Sequence, residues 1–260
     1  MSKIFESEIK SNVEVAPTIF KMELDAPELA KTAKPGQFLN IKLPSNEFTL
    51  RRPLGIASTQ NGVKVFYRIV GRGTKFLSEL KVGTMLNYVA PLGNGFSLHE
   101  HSKVLLVGGG MGMAPLLSAA EKLREAEVLI GGKNKAEVTF WIKEFAHLPA
   151  VDIIFVTTDD GSYHYGRKGY VADYLPEILS ADKYSAVYTC GPDVMMYGTA
   201  LEAIAYGLHC EICFERRMAC GLGACLSCSI ETVNGRKKVC KDGPVFDARD
   251  FIEPENILSI

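Results

Sequence analysis

The stretch KVLLVGGGMGMAPLL, residues 103–117, runs from an apolar strand-like segment through a glycine-rich turn into a helix-like segment whose start is marked by Pro115. Gly108, Gly109, Gly110 and Gly112 let a backbone approach a ligand closely, and a helix N-terminus favours a pyrophosphate. Taken alone, such a turn is equally what a plain tight connection between strand and helix looks like. The residues that follow add weight to the ligand reading. Apolar strand-like runs alternate with helix-like runs through EVLIGG, VDIIFVTTDDG, VADYLPEILS, AVYTCGP and DVMMYGTALEAIAYG. That is the rhythm of a parallel sheet with crossover helices. Ligands of such sheets lie beyond the C-terminal ends of the strands, so the polar strand ends at residues 157–161 and 188–192 converge with the glycine turn on one crevice.

Toward the N-terminus the texture changes. Residues 1 to about 100 carry short alternating runs broken by turn residues, among them GQFLNIKLP, GVKVFYRIVG and GTMLNYVAPLG, which predict an antiparallel sheet or small barrel. Within it, Arg51 and Arg52 of LRRPLGIAS have a bland reading as a solvated pair. Yet Arg52 begins an Arg-Pro-Leu-Gly segment, and Gly73-Thr74 opens a short helix. A cationic side chain and a helix N-terminus can then face one phosphate.

Toward the C-terminus stands MACGLGACLSCSI, residues 218–230. Cys220, Cys225, Cys228 and Cys240 form C-x4-C-x2-C-x11-C, the spacing in which plant-type ferredoxins present four thiolates to a [2Fe–2S] cluster. Gly221, Gly223 and Ala224 allow a tight loop whose backbone N–H groups point at the sulfides. The rival is zinc, held by Cys210-x2-Cys213 with Cys225-x2-Cys228. GLHCEICFE alternates like a strand, however, so thiols three apart face opposite ways, and a zinc set strands Cys220 and Cys240. Cys210 and Cys213 then read as small buried hydrophobes.

Composition bounds what remains. A chain of 260 residues suits two domains and a small appendage, and the boundaries expected are 1–101 for the barrel, 102–208 for the α/β domain and 209–260 for a cysteine module. A net charge of -1 argues against a general attraction to nucleic acid, and no apolar run is long enough for a membrane span. MSKIFESEIK lacks the apolar core of a signal peptide, which places the protein in the cytoplasm. There, an odd count of seven cysteines points to metal or redox chemistry and away from a disulfide framework. His99 and His101 lie in a polar turn and read as solvated; His147, His164 and His209 are scattered, and Trp141 reads as packing. Arg216 and Arg217 read first as a solvated face and second as charge complementing the cluster or a partner. Lys133 and Lys135, after the second strand of the α/β domain, are placed to attract a 2′-phosphate.

The order R-P-L-G, Y-R-x-x-G-R-G-T, G-G-G-M-G-M-A-P-L and C-G-P resembles the ferredoxin-reductase family, in which a β-barrel binds FAD and an α/β domain binds a nicotinamide nucleotide. That similarity covers residues 1 to about 208, without the family's usual aromatic ending. The continuation CFERRMACGLGACLSC resembles the electron-transfer subunits of dihydroorotate dehydrogenase B. The resemblance implies FAD contacts at Arg52, Pro53, Leu54, Gly55, Tyr67, Arg68, Ile69, Gly73 and Thr74. It implies nucleotide contacts at Gly109, Gly110, Met111, Gly112, Met113, Thr157, Asp159, Cys190, Gly191 and Pro192, and cluster ligands at Cys220, Cys225, Cys228 and Cys240. It further implies an FMN-containing catalytic partner in a two-plus-two heterotetramer, with electrons passing from dihydroorotate through FMN, the [2Fe–2S] cluster and FAD to NAD. The same parts with a different partner would make an NAD(P)H-linked ferredoxin oxidoreductase or hydrogenase subunit. A nucleotide-sensing zinc protein is the non-enzyme alternative.

Overall fold

The computed structural model describes residues 2–98, 103–181 and 183–252, so His99 and His101 lie outside the described residues. Six strands close an antiparallel barrel: β1 (Lys3–Ala16), β2 (Ile19–Leu24), β3 (Phe38–Lys42), β4 (Arg52–Ser58), β5 (Val63–Arg68) and β6 (Met85–Leu92), in the spatial order β1-β2-β5-β4-β3-β6. Alternation along each strand decides what faces the interior. Leu39 and Ile41 of β3 join Ile9, Met22 and Val65 inside, whereas Phe38 joins a different core outside. Two short helices, α1 (Pro27–Thr32) and α2 (Arg72–Glu79), attach to the barrel.

The second unit contains β7 (Val104–Gly109), α3 (Met113–Ala120), β8 (Ala126–Gly132), α4 (Lys135–Ala146), β9 (Val151–Thr158), β10 (Arg167–Lys168), α5 (Val171–Leu179), β11 (Ala186–Cys190), α6 (Asp193–Ala205) and β12 (His209–Cys213). Its strands pair in parallel in the order β10-β9-β8-β7-β11-β12. Strands buried on both faces read as continuous apolar runs, and VLLV of β7 shows why. Val104 and Leu106 pack with Leu116 and Val138 of α3 and α4, while Leu105 and Val107 pack with Leu175 and Met196 of α5 and α6. The strand order reverses between β7 and β11, and the C-terminal ends there form the crevice where such sheets bind ligands.

The C-terminal segment is threaded through both units. β12, the start of the third expected segment, is hydrogen-bonded into the parallel sheet, and β15 (Val245–Asp247) adds antiparallel at its edge. Between them lie the cysteine loop and a hairpin of β13 (Ser229–Thr232) and β14 (Gly235–Lys238). Cys228, Val239 and Cys240 share a core with Phe38 and Leu92 of the barrel and with Phe214 and Phe246. The barrel and the sheet are also fastened directly: Phe66 packs 4.8 Å from the Trp141 ring, and Arg68–Glu137 and Lys21–Glu144 pair at 2.9 Å. The connection between them is held where Phe96 stacks 4.8 Å from Tyr188 and Glu211 accepts the Ser97 N–H at 2.9 Å.

Candidate functional site

The first cavity, about 330 Å³, lies where the barrel meets the sheet. Residues 52–55 of β4 line it with Tyr67, Arg68 and Thr74, and α3 contributes Ala114 and Pro115. The Arg52 guanidinium donates to the Leu50 carbonyl and lies 5.6 Å from the Phe48 ring centre, with no carboxylate paired to it among the described residues. It is a cation free to meet an anion. Gly73 does not line the cavity. A Cβ there would overlap the Arg52 guanidinium, so this glycine makes the room in which the arginine sits. Thr74 Oγ1 accepts the Val70 N–H at 2.9 Å, securing the start of α2. Ile69 is also outside the lining, beyond the end of β5, where its N–H donates to the Thr18 carbonyl at 2.8 Å.

The second cavity, about 760 Å³, is the crevice at the strand ends. Residues 109–112, Thr157, Asp159, Gly191 and Pro192 line it. Met113 and Cys190 do not, because both point into the core beneath the glycine turn. A Cβ on Gly108 would stand 2.5 Å from the Met113 sulfur, and one on Gly112 would run into the Cys190 carbonyl. These glycines bring the turn down onto the sheet. Residues that sequence reasoning passed over also line the crevice: Gly131 and Gly132 at the end of β8, Tyr170 to Asp173 at the start of α5, and Asp193. The glycine pair was legible in EVLIGG by the same strand-end rule. Lys133 lines the crevice, whereas Lys135 is not in its lining and uses its backbone N–H to cap against Ser162.

The two cavities adjoin, since Arg68, Met111 and Glu215 line both. No sequence signal marked Glu215. Its side chain reaches solvent through the cavities, yet the surrounding protein pushes its carboxyl above the usual range by desolvation. Next to it Arg216 forms a two-pronged pair with Asp193 at 3.0 and 3.1 Å and lies 4.9 Å from the Phe214 ring centre. The expectation of a solvated Arg216 is therefore corrected; Arg217 is exposed.

Beyond Arg216 the same segment brings Met218 to the first cavity, and Cys220 follows two residues later. The loop bends through left-handed backbone at Gly221 (φ 71°) and Gly223 (φ 82°), as a tight turn about four sulfurs requires. Its amides point at sulfur: Gly223 N–H donates to Cys240 Sγ at 3.1 Å, Leu222 N–H to Cys220 Sγ at 3.3 Å and Cys240 N–H to Cys228 Sγ at 3.4 Å. The thiols fall into an outer pair, Cys220 with Cys225, and an inner pair, Cys228 with Cys240. Hydrogen bonds from Ser227 draw the exposed Cys225 thiol down to about 6, while burial and then the neighbouring Cys228 push Cys240 up to about 12. Among the described residues no three His, Cys, Asp or Glu side chains surround one point as a single ion needs. Two pairs of thiols instead suit a two-iron core with two thiolates per iron.

Cys210 and Cys213 lie on opposite faces of the sheet, Cys210 in the core under α5 and α6 and Cys213 in the core under α3 and α4. They do not meet Cys225 and Cys228, and the zinc reading fails on that geometry. Cys213 instead adjoins Cys190 on the next strand, whose thiol is pushed up by that hydrogen bond and by burial. His147 and His164 are exposed, and Trp141 is core packing.

Comparison with known proteins agrees with this architecture. Residues 215–252 match the iron-sulfur cluster binding domain of dihydroorotate dehydrogenase B. The dihydroorotate dehydrogenase B (NAD(+)) electron transfer subunit of Desulforamulus reducens is 36% identical over 259 residues, covering 95% of this chain and 97% of that protein. The corresponding subunit of Streptococcus pneumoniae serotype 4 is 40% identical over 249 residues, covering 90% and 94%. Among solved structures, one described as the NADH-dependent reduced ferredoxin-NADP oxidoreductase superposes with TM-score 0.81 at 28% identity over 97% of this chain and 91% of that one. A ferredoxin NADP+ reductase from Neisseria gonorrhoeae with bound FAD and NADP superposes with TM-score 0.63 at 16% identity, covering 79% and 92%, which speaks for the fold. With near-full-length identity of this order to several such subunits, the chain belongs to the family of dihydroorotate dehydrogenase B (NAD(+)) electron transfer subunits.

Proposed function

We propose that this chain passes electrons from an FMN-containing dihydroorotate dehydrogenase partner through a [2Fe–2S] cluster and FAD to NAD, in support of orotate formation. The observation that carries this reading is the order of sites: the cysteine loop adjoins the first cavity through Met218, and the first cavity adjoins the second through Arg68, Met111 and Glu215. FAD, when bound, exchanges hydride with a nicotinamide and single electrons with an iron–sulfur centre, which is why it belongs in the middle. Cys220, Cys225, Cys228 and Cys240 hold the cluster, and the amides of Leu222 and Gly223 offset the thiolate charge. The glycine turn and the crevice hold the nucleotide, and Glu215 stands between the two cavities.

Dihydroorotate chemistry belongs to the partner. Leu222 and Leu226, 55% and 58% exposed, flank the exposed Cys225 and form the face for that partner to cover, in a two-plus-two assembly. Among the described residues no helix is long and apolar enough to cross a membrane. No disulfide joins any of the seven cysteines, which fits a reducing cytoplasm. Co-purification with the catalytic subunit and an assay of orotate-linked NADH formation test the whole reading. Its rival, an NAD(P)H-linked ferredoxin oxidoreductase, draws on the 28% identical structural neighbour, and reduction of ferredoxin with no dihydroorotate activity would favour it.

Two variants test the cofactor sites. Because the Arg52 guanidinium has no carboxylate partner among the described residues, Arg52→Ala should weaken FAD retention by about 1.5–3 kcal/mol, the range for hydrogen bonds to charged groups. Flavin content after gel filtration and a dissociation constant measured by fluorescence check this. In the crevice Asp159 follows β9 and opposes Lys133 as the reader of the adenosine ribose. A carboxylate there accepts from a ribose hydroxyl and repels a 2′-phosphate, so NADH should exceed NADPH in kcat/KM for dye reduction. Asp159→Asn should lower the NADH value by roughly tenfold, the equivalent of one charged hydrogen bond.

A further inference from the structure

We propose that Asn40 is the positioning residue that fixes the cysteine loop against the barrel and thereby sets the spacing between the cluster and the flavin cavity. The proposal rests on the cofactor assignment above. On β3, Phe38 and Asn40 share the outward face, and Phe38 lines the first cavity while packing in the core that contains Cys228 and Cys240. Asn40 is thus a primary amide placed in an apolar junction, with 0% of its surface exposed. Its Nδ2 donates to the Cys220 carbonyl at 3.3 Å across 180 residues of chain. Its Oδ1 is buried without a partner among the described residues. Gly221 lies so close that a Cβ there would stand 2.6 Å from Asn40 Nδ2, so the loop's left-handed turn is shaped around this amide.

Burying an amide at half satisfaction costs stability, and an apolar residue of similar volume would fill the junction with no such loss. What the amide supplies, and an apolar side chain does not, is direction. The apolar contacts around Cys228 and Cys240 hold the inner thiol pair but permit sliding, whereas one hydrogen bond to the carbonyl of Cys220 fixes the outer half of the loop in register. The other end of the link is rigid. Asn40 stands opposite Pro53 in the β3–β4 ladder, Pro53 lines the flavin cavity, and the Asn40 carbonyl accepts from Arg51 at 3.2 Å. Outer-shell hydrogen bonds of this kind orient the ligands of a metal centre without touching the metal.

The test compares the purified holoprotein with Asn40→Leu, which keeps volume and removes the donor, and with Asn40→Asp, which keeps shape and replaces the amide donor with an acceptor. Iron, sulfide and FAD contents and NADH-dependent dye reduction should match the wild type in both. After rapid mixing with NADH, flavin bleaching should keep its rate while the cluster is reduced more slowly, by roughly ten- to a hundredfold, the scale of outer-shell losses and ångström-sized misplacement. The electron paramagnetic resonance signal of the dithionite-reduced cluster should broaden or shift its g-values. Wild-type cluster reduction with an unchanged resonance signal would overturn the proposal. So would loss of iron from both variants, because a joint outside the ligand set is not needed to retain metal. Absence of iron or flavin from the wild-type protein itself would instead defeat the cofactor reading on which the proposal rests.

Discussion

Cys228→Ala should yield a protein that has lost its iron and sulfide, still reduces dyes with NADH, and supports no NAD-linked orotate formation when mixed with the catalytic subunit. Cys228 belongs to the inner thiol pair, is 2% exposed, and receives the Cys240 N–H. Removing it leaves Cys240 without its neighbour, and a small loop stapled by metal has too little apolar surface to keep its shape otherwise. Alanine at Cys220, Cys225 or Cys240 should act alike, whereas Cys210→Ala and Cys213→Ala should retain the metal, since those thiols stand on opposite faces of β12 within the sheet, outside the cysteine loop. Coupled activity should fall to background because the cluster is the proposed link to the catalytic subunit, while dye reduction needs the two cavities. Iron analysis, visible absorption and the two assays side by side decide the matter. Full iron content in Cys228→Ala, or equal losses from the 210 and 213 variants, would defeat the ligand assignment.

Glu127→Ala should be strongly destabilising, lowering the unfolding free energy by about 3–5 kcal/mol, the cost of breaking a buried ion pair. That is a large part of the roughly 5–15 kcal/mol a domain has. Glu127 is 0% exposed on β8 and accepts from Lys103 and Lys183 at 2.8 Å each and from Tyr184. Burial raises its carboxyl, but the hydrogen bonds from Lys103, Lys183 and Tyr184 outweigh burial and hold it below its ordinary value of 4.5. A depressed carboxylate contributes stability that is present above the unfolded value and lost as pH falls through the folded one. The wild type should therefore lose stability below about pH 4.5 more steeply than Glu127→Gln, which has nothing to protonate there. Because the residue is second in β8, at the end of the sheet away from the crevice, FAD content and dye reduction at low temperature should be unchanged. Denaturant melts from pH 3 to pH 7 measure both effects; equal stability of Glu127→Ala and wild type would show that this network holds nothing together.

Much of this was readable along the chain because its causes are local. A strand that is apolar throughout must be covered on both faces, so VLLV in β7 already implied a sandwiched parallel sheet. Glycine runs at strand ends located the crevice, and cysteine spacing located the loop, since each depends on backbone freedom and reach over a few residues. Where a side chain points is not local in this sense. Met113 and Cys190 stand among crevice residues in sequence but face the core, and Gly73 acts by making room for Arg52 and not by lining the cavity.

The sequence by itself determined an antiparallel β unit, the parallel sheet and the grouping of four cysteines, because hydrophobic period, turn residues and ligand spacing are properties of short segments. Only the tertiary structure decided that β12 joins the parallel sheet before the chain enters the cysteine loop, so that Cys213, Phe214, Glu215, Arg216 and Met218 line the first cavity. Only there does Glu215 stand between the cavities, Arg216 pair with Asp193, and Asn40 reach Cys220. These pairings join residues 23 and 180 positions apart, and no periodicity records them. They exist because packing of three units fixes distances that the chain between leaves open.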